Sequence, residues 1–424
     1  MKDGISNYAD VIVIGAGHAG LSISYFLKQE GLNHLVFERG KVGDSWSNQR
    51  WDSFRLNTPN YVNLLPGLEN NFTDADGYCS APDFVNLLVS YMKLYNLPVI
   101  ENCEVISIEK SSGSTEFSVR VSENKIIKNY ISGKVIIASG GQNKKCIPVF
   151  AGLIDGNIMQ LHAADYRNEL MLPPGAVFVA GSAQSGVQIA EDLISAGRQV
   201  FISTSKVGRV PRRYRGRDIV DWLMMTGYFD TKVTDIPFQQ TRLERQPQIS
   251  GTGIRGHTLS LQSLAKKGAV IVGKAENAGK DNVCLLPNAS ENVMFADAVS
   301  AKIKNMVDDY ITGSGLNSEK AEDDASDLPD RTGACSSDIP SLNFRENNIR
   351  SIIWATGFSG DYSYLKLPAL DNNGMILHNE GVSEIEGLYF LGMPWLRKRK
   401  SAIICGIKED AEFIAGKVIL SHSS

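Results

Sequence analysis

With 424 residues the chain exceeds what one hydrophobic core usually supports, so two domains are expected. Its 43% hydrophobic and 21% charged content is that of an ordinary globular protein, and a net charge of −4 argues against a nucleic-acid or acidic-membrane partner. Six cysteines without a Cys-x-x-Cys pair and six histidines without a helical ligand spacing leave neither a metal site nor a dithiol redox centre to expect.

The opening MKDGISNYAD lacks the apolar core of a secretory signal. No apolar run reaches the ~20 residues that span a bilayer, so a cytoplasmic protein without membrane contact is expected. The run Val11-Ile12-Val13-Ile14 reads as a strand buried on both faces. It meets Gly15-Ala16-Gly17-His18-Ala19-Gly20, then a helical pattern through Leu21, Ile23, Phe26 and Leu27 that Gly31 stops. Leu35-Val36-Phe37-Glu38 is the next strand, which completes a βαβ unit. Residues 40–77 lack a period and read as long loops, and a helix is expected from Pro82 to Tyr95. Alternation near 103–109 and 116–122 predicts a small antiparallel excursion before a buried strand at Val135-Ile136-Ile137-Ala138.

A second βαβ unit starts at Val177-Phe178-Val179-Ala180, turns at Gly181-Ser182-Ala183-Gln184-Ser185-Gly186, and continues in a helix from Val187 to Ala196 and a strand at Gln199–Ser203. Residues 313–345 are acidic, rich in Ser and Gly, and read as a surface excursion that the catalytic cycle does not need. Strands at Ile352–Ala355 and Leu388–Leu391 follow. The expected fold is α/β, with two Rossmann-like dinucleotide-binding domains, the second inserted into the first: 1–168, 169–350 and 351–424.

The chemistry of the turns follows from their spacing. Gly15 permits the tight turn, Gly17 lets the backbone approach a pyrophosphate, and Gly20 allows close packing of helix on strand. Free N–H groups at the helix start then face that pyrophosphate. Glu38 stands 23 residues after Gly15 (38 − 15), where an acid holds ribose hydroxyls. The second motif carries Ala183 in place of the middle glycine, and no acid follows its second strand. Ser203, Lys206 and Arg212 stand there instead, and hydroxyls and cations suit a ribose 2′-phosphate, so NADPH is favoured over NADH. The basic stretch 211–217 admits three readings: a solvated charge run, a phosphate contact, or a clamp for an anionic substrate.

Two such motifs 166 residues apart (181 − 15) are the layout of flavoproteins with two dinucleotide-binding domains. More specifically, the chain resembles the flavin-containing monooxygenase superfamily, in particular short bacterial members akin to the plant auxin-forming flavin monooxygenases. The resemblance rests on Gly43-Asp44-Ser45-Trp46, on Arg50-Trp51-Asp52-Ser53-Phe54-Arg55-Leu56, on Phe150-Ala151-Gly152 with Gly156…His162 and Tyr166, on Ala355-Thr356-Gly357-Phe358, and on Gly387–Gly392. In the third of these the glycine-to-histidine gap is two residues longer than in the family fingerprint.

The resemblance implies FAD at Gly15, Gly17, His18, Ala19, Gly20, Glu38, Arg39, Gly43, Ser45, Trp46, Val105, Ala138, Ser139, Gly140, Thr356, Gly357 and Gly392. It implies NADPH at Gly181, Ser182, Ala183, Gln184, Ser185, Gly186, Ser203, Lys206 and Arg212. Asn57 and Thr58 are the implied catalytic pair beside the flavin, although Pro59 occupies the place of the asparagine that heteroatom-oxidising members carry. The implied activity is insertion of one oxygen atom from O2 into a small organic substrate through a C4a-hydroperoxyflavin. An NADPH oxidase or reductase, or a non-catalytic flavin- or nucleotide-sensing protein, are the alternatives. A homodimer is admitted but not required.

Overall fold

The computed structural model describes residues 7–68, 74–237, 246–248, 253 and 255–421. The chain forms two main sheets. In the first, β1 (Tyr8–Ile14), α1 (His18–Gln29) and β2 (His34–Phe37) make the expected βαβ unit, with β1 and β2 parallel and Ile14 opposite Phe37. The apolar side chains Val11 to Ile14 are buried, as a central strand covered on both faces requires. Helix α2 (Ala81–Leu94) starts at Ser80, whose hydroxyl accepts from the Asp83 backbone N–H at 3.2 Å. Strands β3 (Val99–Ile100), β4 (Cys103–Lys110), β5 (Phe117–Glu123) and β6 (Ile126–Ile137) complete this part in the order β3-β2-β1-β6-β5-β4. The first half of β6 pairs antiparallel with β5, which is the expected excursion, and its second half runs parallel to β1.

The second sheet is parallel throughout. It contains β7 (Met159–His162), β8 (Ala176–Ala180), β9 (Val200–Ser203), β10 (Val270–Val272), β11 (Ser336–Ser337) and β12 (Ile349–Trp354), ordered β11-β10-β9-β8-β12-β7. Helix α3 (Gln184–Ser195) links β8 to β9. Helices α4 (Ile219–Met225), α5 (Leu261–Lys266) and α6 (Ala289–Ser314) follow, and the chain returns to the first sheet with β13 (Leu388–Phe390) beside β6 before ending in α7 (Ile404–Leu420). No described helix is long and apolar enough to cross a membrane.

Two expectations need correction. Strand β7 falls in 1–168, and most of β12 in 351–424, yet both are hydrogen-bonded into the second sheet. Sheet membership is decided by which edge a strand completes, and β12 fills the gap beside β8 that no local strand fills. The segment 313–345 is also not a free excursion. It supplies β11, buried Leu342 and Phe344, and Asp327, which pairs with the buried Arg209 and with Lys304 at 2.6 Å. Asp327 thus serves partners within the fold, while Glu319, Glu322 and Asp323 are exposed.

Candidate cofactor sites at the two glycine turns

The first turn opens on a cavity of about 590 Å³. Gly15 has φ +101°, and a Cβ there would sit 2.8 Å from the Ala138 carbonyl oxygen. A Cβ on Gly20 would sit 1.8 Å from the Gly15 oxygen, so both positions need glycine for the turn to close. Gly17 differs, because a Cβ there would meet nothing within 4 Å. It faces open space at the start of α1, the place where a pyrophosphate would lie against free helix N–H groups. The Glu38 carboxylate is held by the Ala16 N–H at 2.8 Å and the Gly40 N–H at 3.0 Å. Burial raises its pKa, and the two backbone donors oppose that rise. His18 lies at the same turn with its Nε2 buried and without a partner among the described residues, and burial lowers it to about 4, so the ring is neutral.

Gly15, Gly17, His18, Ala19, Glu38, Arg39, Gly43, Ser45, Trp46, Val105, Ala138, Ser139, Gly140 and Gly392 all line this one cavity. The open floor at Gly17, the second at Gly140 and the ribose-type acid fit a flavin dinucleotide. Gly20 acts from behind the turn.

At the second turn the backbone repeats. Gly181 has φ +112° and approaches Ala355, and a Cβ on Gly186 would lie 1.9 Å from the Gly181 oxygen. Ala183 adopts φ −76° and ψ −175°, against −75° and −174° at Gly17. Thr204 stands where Glu38 stands in the first unit, directly after the second strand, but it is buried and accepts from Asn292 at 3.0 Å. The next residue, Ser205, donates its N–H to the Ser182 hydroxyl at 2.9 Å. Lys206 is exposed, with its ammonium 5.1 Å from the Phe295 ring centre. Gln184 and Ser185 lie in the first turn of α3.

Comparison with known proteins agrees with this geometry. Residues 12–219 match the family model described as pyridine nucleotide-disulphide oxidoreductase. An uncharacterized CzcO-like oxidoreductase of Geobacillus kaustophilus is 30% identical over 99% of this chain and 100% of its own length. The chain belongs to the flavin monooxygenase-type superfamily. A probable indole-3-pyruvate monooxygenase, YUCCA3 of Arabidopsis thaliana, is 27% identical over 49% of this chain and 48% of its own. A flavin-containing monooxygenase from Stenotrophomonas maltophilia shares the fold with a TM-score of 0.64 at 17% identity, covering 98% of this chain and 99% of that one.

Within this superfamily fold several expected contacts lie elsewhere. Ser203 is buried, its hydroxyl donating to Gly273 O at 3.0 Å and accepting from Ala275 N–H at 2.9 Å, so it is spent inside the sheet. Arg212 is buried against Asp218, with Nε 2.8 Å from the carboxylate, and lies over the Tyr78 ring at 4.4 Å. A cation already paired in the interior does not meet a 2′-phosphate. Arg215 is also engaged, pairing with Asp308 at 2.6 Å, and the Arg215 and Gly216 N–H groups both donate to Glu322 at 2.7 Å, whereas Arg213 and Arg217 are exposed. Thr356 donates to the Cys146 carbonyl, and Gly357 O accepts from His162 Nε2 at 2.9 Å. Both sit at the end of β12 beside the second turn, outside the first cavity.

Asn57 and Thr58 do not line the cavity. Asn57 accepts from Gln188 of α3 at 3.1 Å and from Arg212 at 2.8 Å, while Thr58 donates to Asn63 at 2.5 Å. They belong to a polar seam between the two units. The cavity instead includes Arg50, Asn143, Asp361, Tyr364 and Ala402, none of which was singled out as a site residue. Tyr364 meets the Ser139 hydroxyl at 2.8 Å, and burial raises its pKa. Only Arg50 had a sequence signal, its place in the Arg50–Leu56 run.

Proposed function

We propose that the chain is an FAD- and NADPH-dependent monooxygenase that inserts one oxygen atom of O2 into a small organic substrate. The supporting observation is the pair of turns with one backbone path, the first opening on a cavity with a ribose-type acid, the second without one. Bound flavin supplies the redox chemistry, accepting hydride from reduced nicotinamide and passing electrons to O2. The chain's part is placement. Backbone N–H groups at the start of α1 would face the pyrophosphate, and Glu38, fixed from behind by Ala16 and Gly40, would receive ribose hydroxyls. At the second turn Thr204 leaves no carboxylate to repel a 2′-phosphate, and Ser205 with exposed Lys206 offers it a hydroxyl and a cation. Ser203 and Arg212 take no part.

A second reading, an NADPH oxidase, draws support from the position of Asn57 and Thr58 outside the cavity, which leaves that pair away from the flavin. One experiment separates the two. Purified protein is expected to carry flavin absorbance and to oxidise NADPH faster than NADH. With its substrate present, the peroxide formed per NADPH consumed should fall well below one. Stoichiometric peroxide across a panel of amines, sulfides, ketones and indoles would favour the oxidase, and absence of flavin would refute both.

A further inference from the structure

Arg50 is half-buried and lines the cavity of the first turn. Its guanidinium lies 4.8 Å from the Trp46 ring centre and 5.3 Å from that of Phe54, and its Nη1 donates to the neighbouring Gln49 carbonyl at 2.8 Å. Its own carbonyl accepts from Arg167 at 2.6 Å. No carboxylate pairs with it among the described residues. The cavity does contain acids, but they are committed elsewhere: Glu38 to Ala16 and Gly40, Asp44 to Asn48 at 2.8 Å, and Asp361 to Ser363 at 3.0 Å. Glu104 is exposed at the rim. Partial burial pulls the arginine down to about 10, and no nearby carboxylate opposes that shift. Such a cation is costly unless an anion reaches it.

We infer that Arg50 is the counter-cation for the dinucleotide bound in this cavity, its guanidinium meeting an anionic or electron-rich oxygen of FAD. The inference rests on the flavin reading above and adds the residue that balances the charge there. Two oxygens of FAD have the required chemistry, the pyrophosphate and the carbonyl edge of the flavin ring. The planar fork of arginine suits either.

The test compares wild type with Arg50→Met and Arg50→Lys, each stripped of flavin and titrated with FAD and with ADP. Arg50→Met should bind FAD roughly ten- to 150-fold more weakly, the effect of one lost charge-assisted contact. Arg50→Lys should recover part of that loss. If the partner is the pyrophosphate, ADP binding weakens by the same factor. If it is the ring edge, ADP binding is unchanged and the two-electron potential of the retained flavin falls. Apo Arg50→Met should also unfold no earlier than apo wild type, because it loses a half-buried cation that has no carboxylate partner, whereas FAD should protect it less. An Arg50→Met apo protein that unfolds earlier, or one that binds FAD as wild type does, overturns the inference. Wild-type apo protein that takes up no FAD overturns the flavin reading itself, a result separable from the variant series.

Discussion

The two glycine turns of this chain share a backbone and differ in what faces the ligand. In both, the first and third glycines are held by the fold: their missing Cβ atoms make room for a carbonyl of the neighbouring strand end and for the turn itself. The middle position is different. Gly17 and Ala183 have the same φ and ψ to within a degree, and at Gly17 a Cβ would touch nothing. Glycine at that position therefore answers to the ligand, and the fold tolerates alanine. The second difference is the residue after the second strand, an accepting acid in one unit and a buried threonine in the other. Turn geometry is a property of the architecture, whereas the two units differ in the side chains that surround it.

The largest expected effect lies where the fold itself is at stake. Gly20→Ala places a Cβ 1.8 Å from Gly15 O and Gly15→Val a branched side chain at φ +101°, so neither should yield folded, flavin-retaining protein. Recovery of either variant with full flavin absorbance and cooperative unfolding would break the comparison at its base. Next comes a clamp in the second unit, Arg209 between Asp297 and Asp327. Asp327→Asn leaves a buried cation with one acid and, as one lost charge-assisted hydrogen bond, should cost about 2 kcal/mol in urea unfolding. Wild-type stability in that variant would return 313–345 to the status of a dispensable excursion.

His18 follows Gly17 where Gln184 follows Ala183, so one unit titrates and the other does not. The folded pKa of His18, about 4, lies below the ordinary histidine value of 6.5. Between these values the unfolded chain binds the extra proton, so stability is full above about 6.5 and is lost as the pH falls toward 4. For the apo protein the loss between pH 7 and 5 should be about 2 kcal/mol, absent in His18→Gln. Equal slopes for the two proteins would show that the ring is solvated. The smallest effect is the most diagnostic. Gly17→Ala should fold normally and weaken FAD severalfold, and Ala183→Gly should tighten NADP+ by a similar factor, both read by titration. A Gly17→Ala protein with unchanged FAD affinity would mean that the middle position is as architectural as its neighbours.

The sequence by itself determined the elements that depend on local rules. Buried apolar runs marked β1, β8 and β12, the glycine spacings marked both turns, and Glu38 was placed by its distance from Gly15 alone. These signals are legible because a strand–turn–helix unit is short-range and its steric demands fall on named positions. Gly15, Gly17, His18, Ala19 and Glu38 line one cavity for the same reason, whereas the more distant lining residues, such as Val105 and Gly392, were implied by the resemblance to flavin-containing monooxygenases. Tertiary structure decided everything that depends on which charges meet. Arg212 lies nine residues past a dinucleotide strand, as a phosphate ligand would, yet the turn of chain that follows brings Asp218 to it. Asp327 reads as solvated until Arg209 and Lys304 are seen beside it. Asn57 looks like a flavin neighbour in sequence, but Gln188 and Arg212 hold it in the seam between the units. A charged side chain seeks the nearest opposite charge in space, and that distance is set by the fold rather than by spacing along the chain.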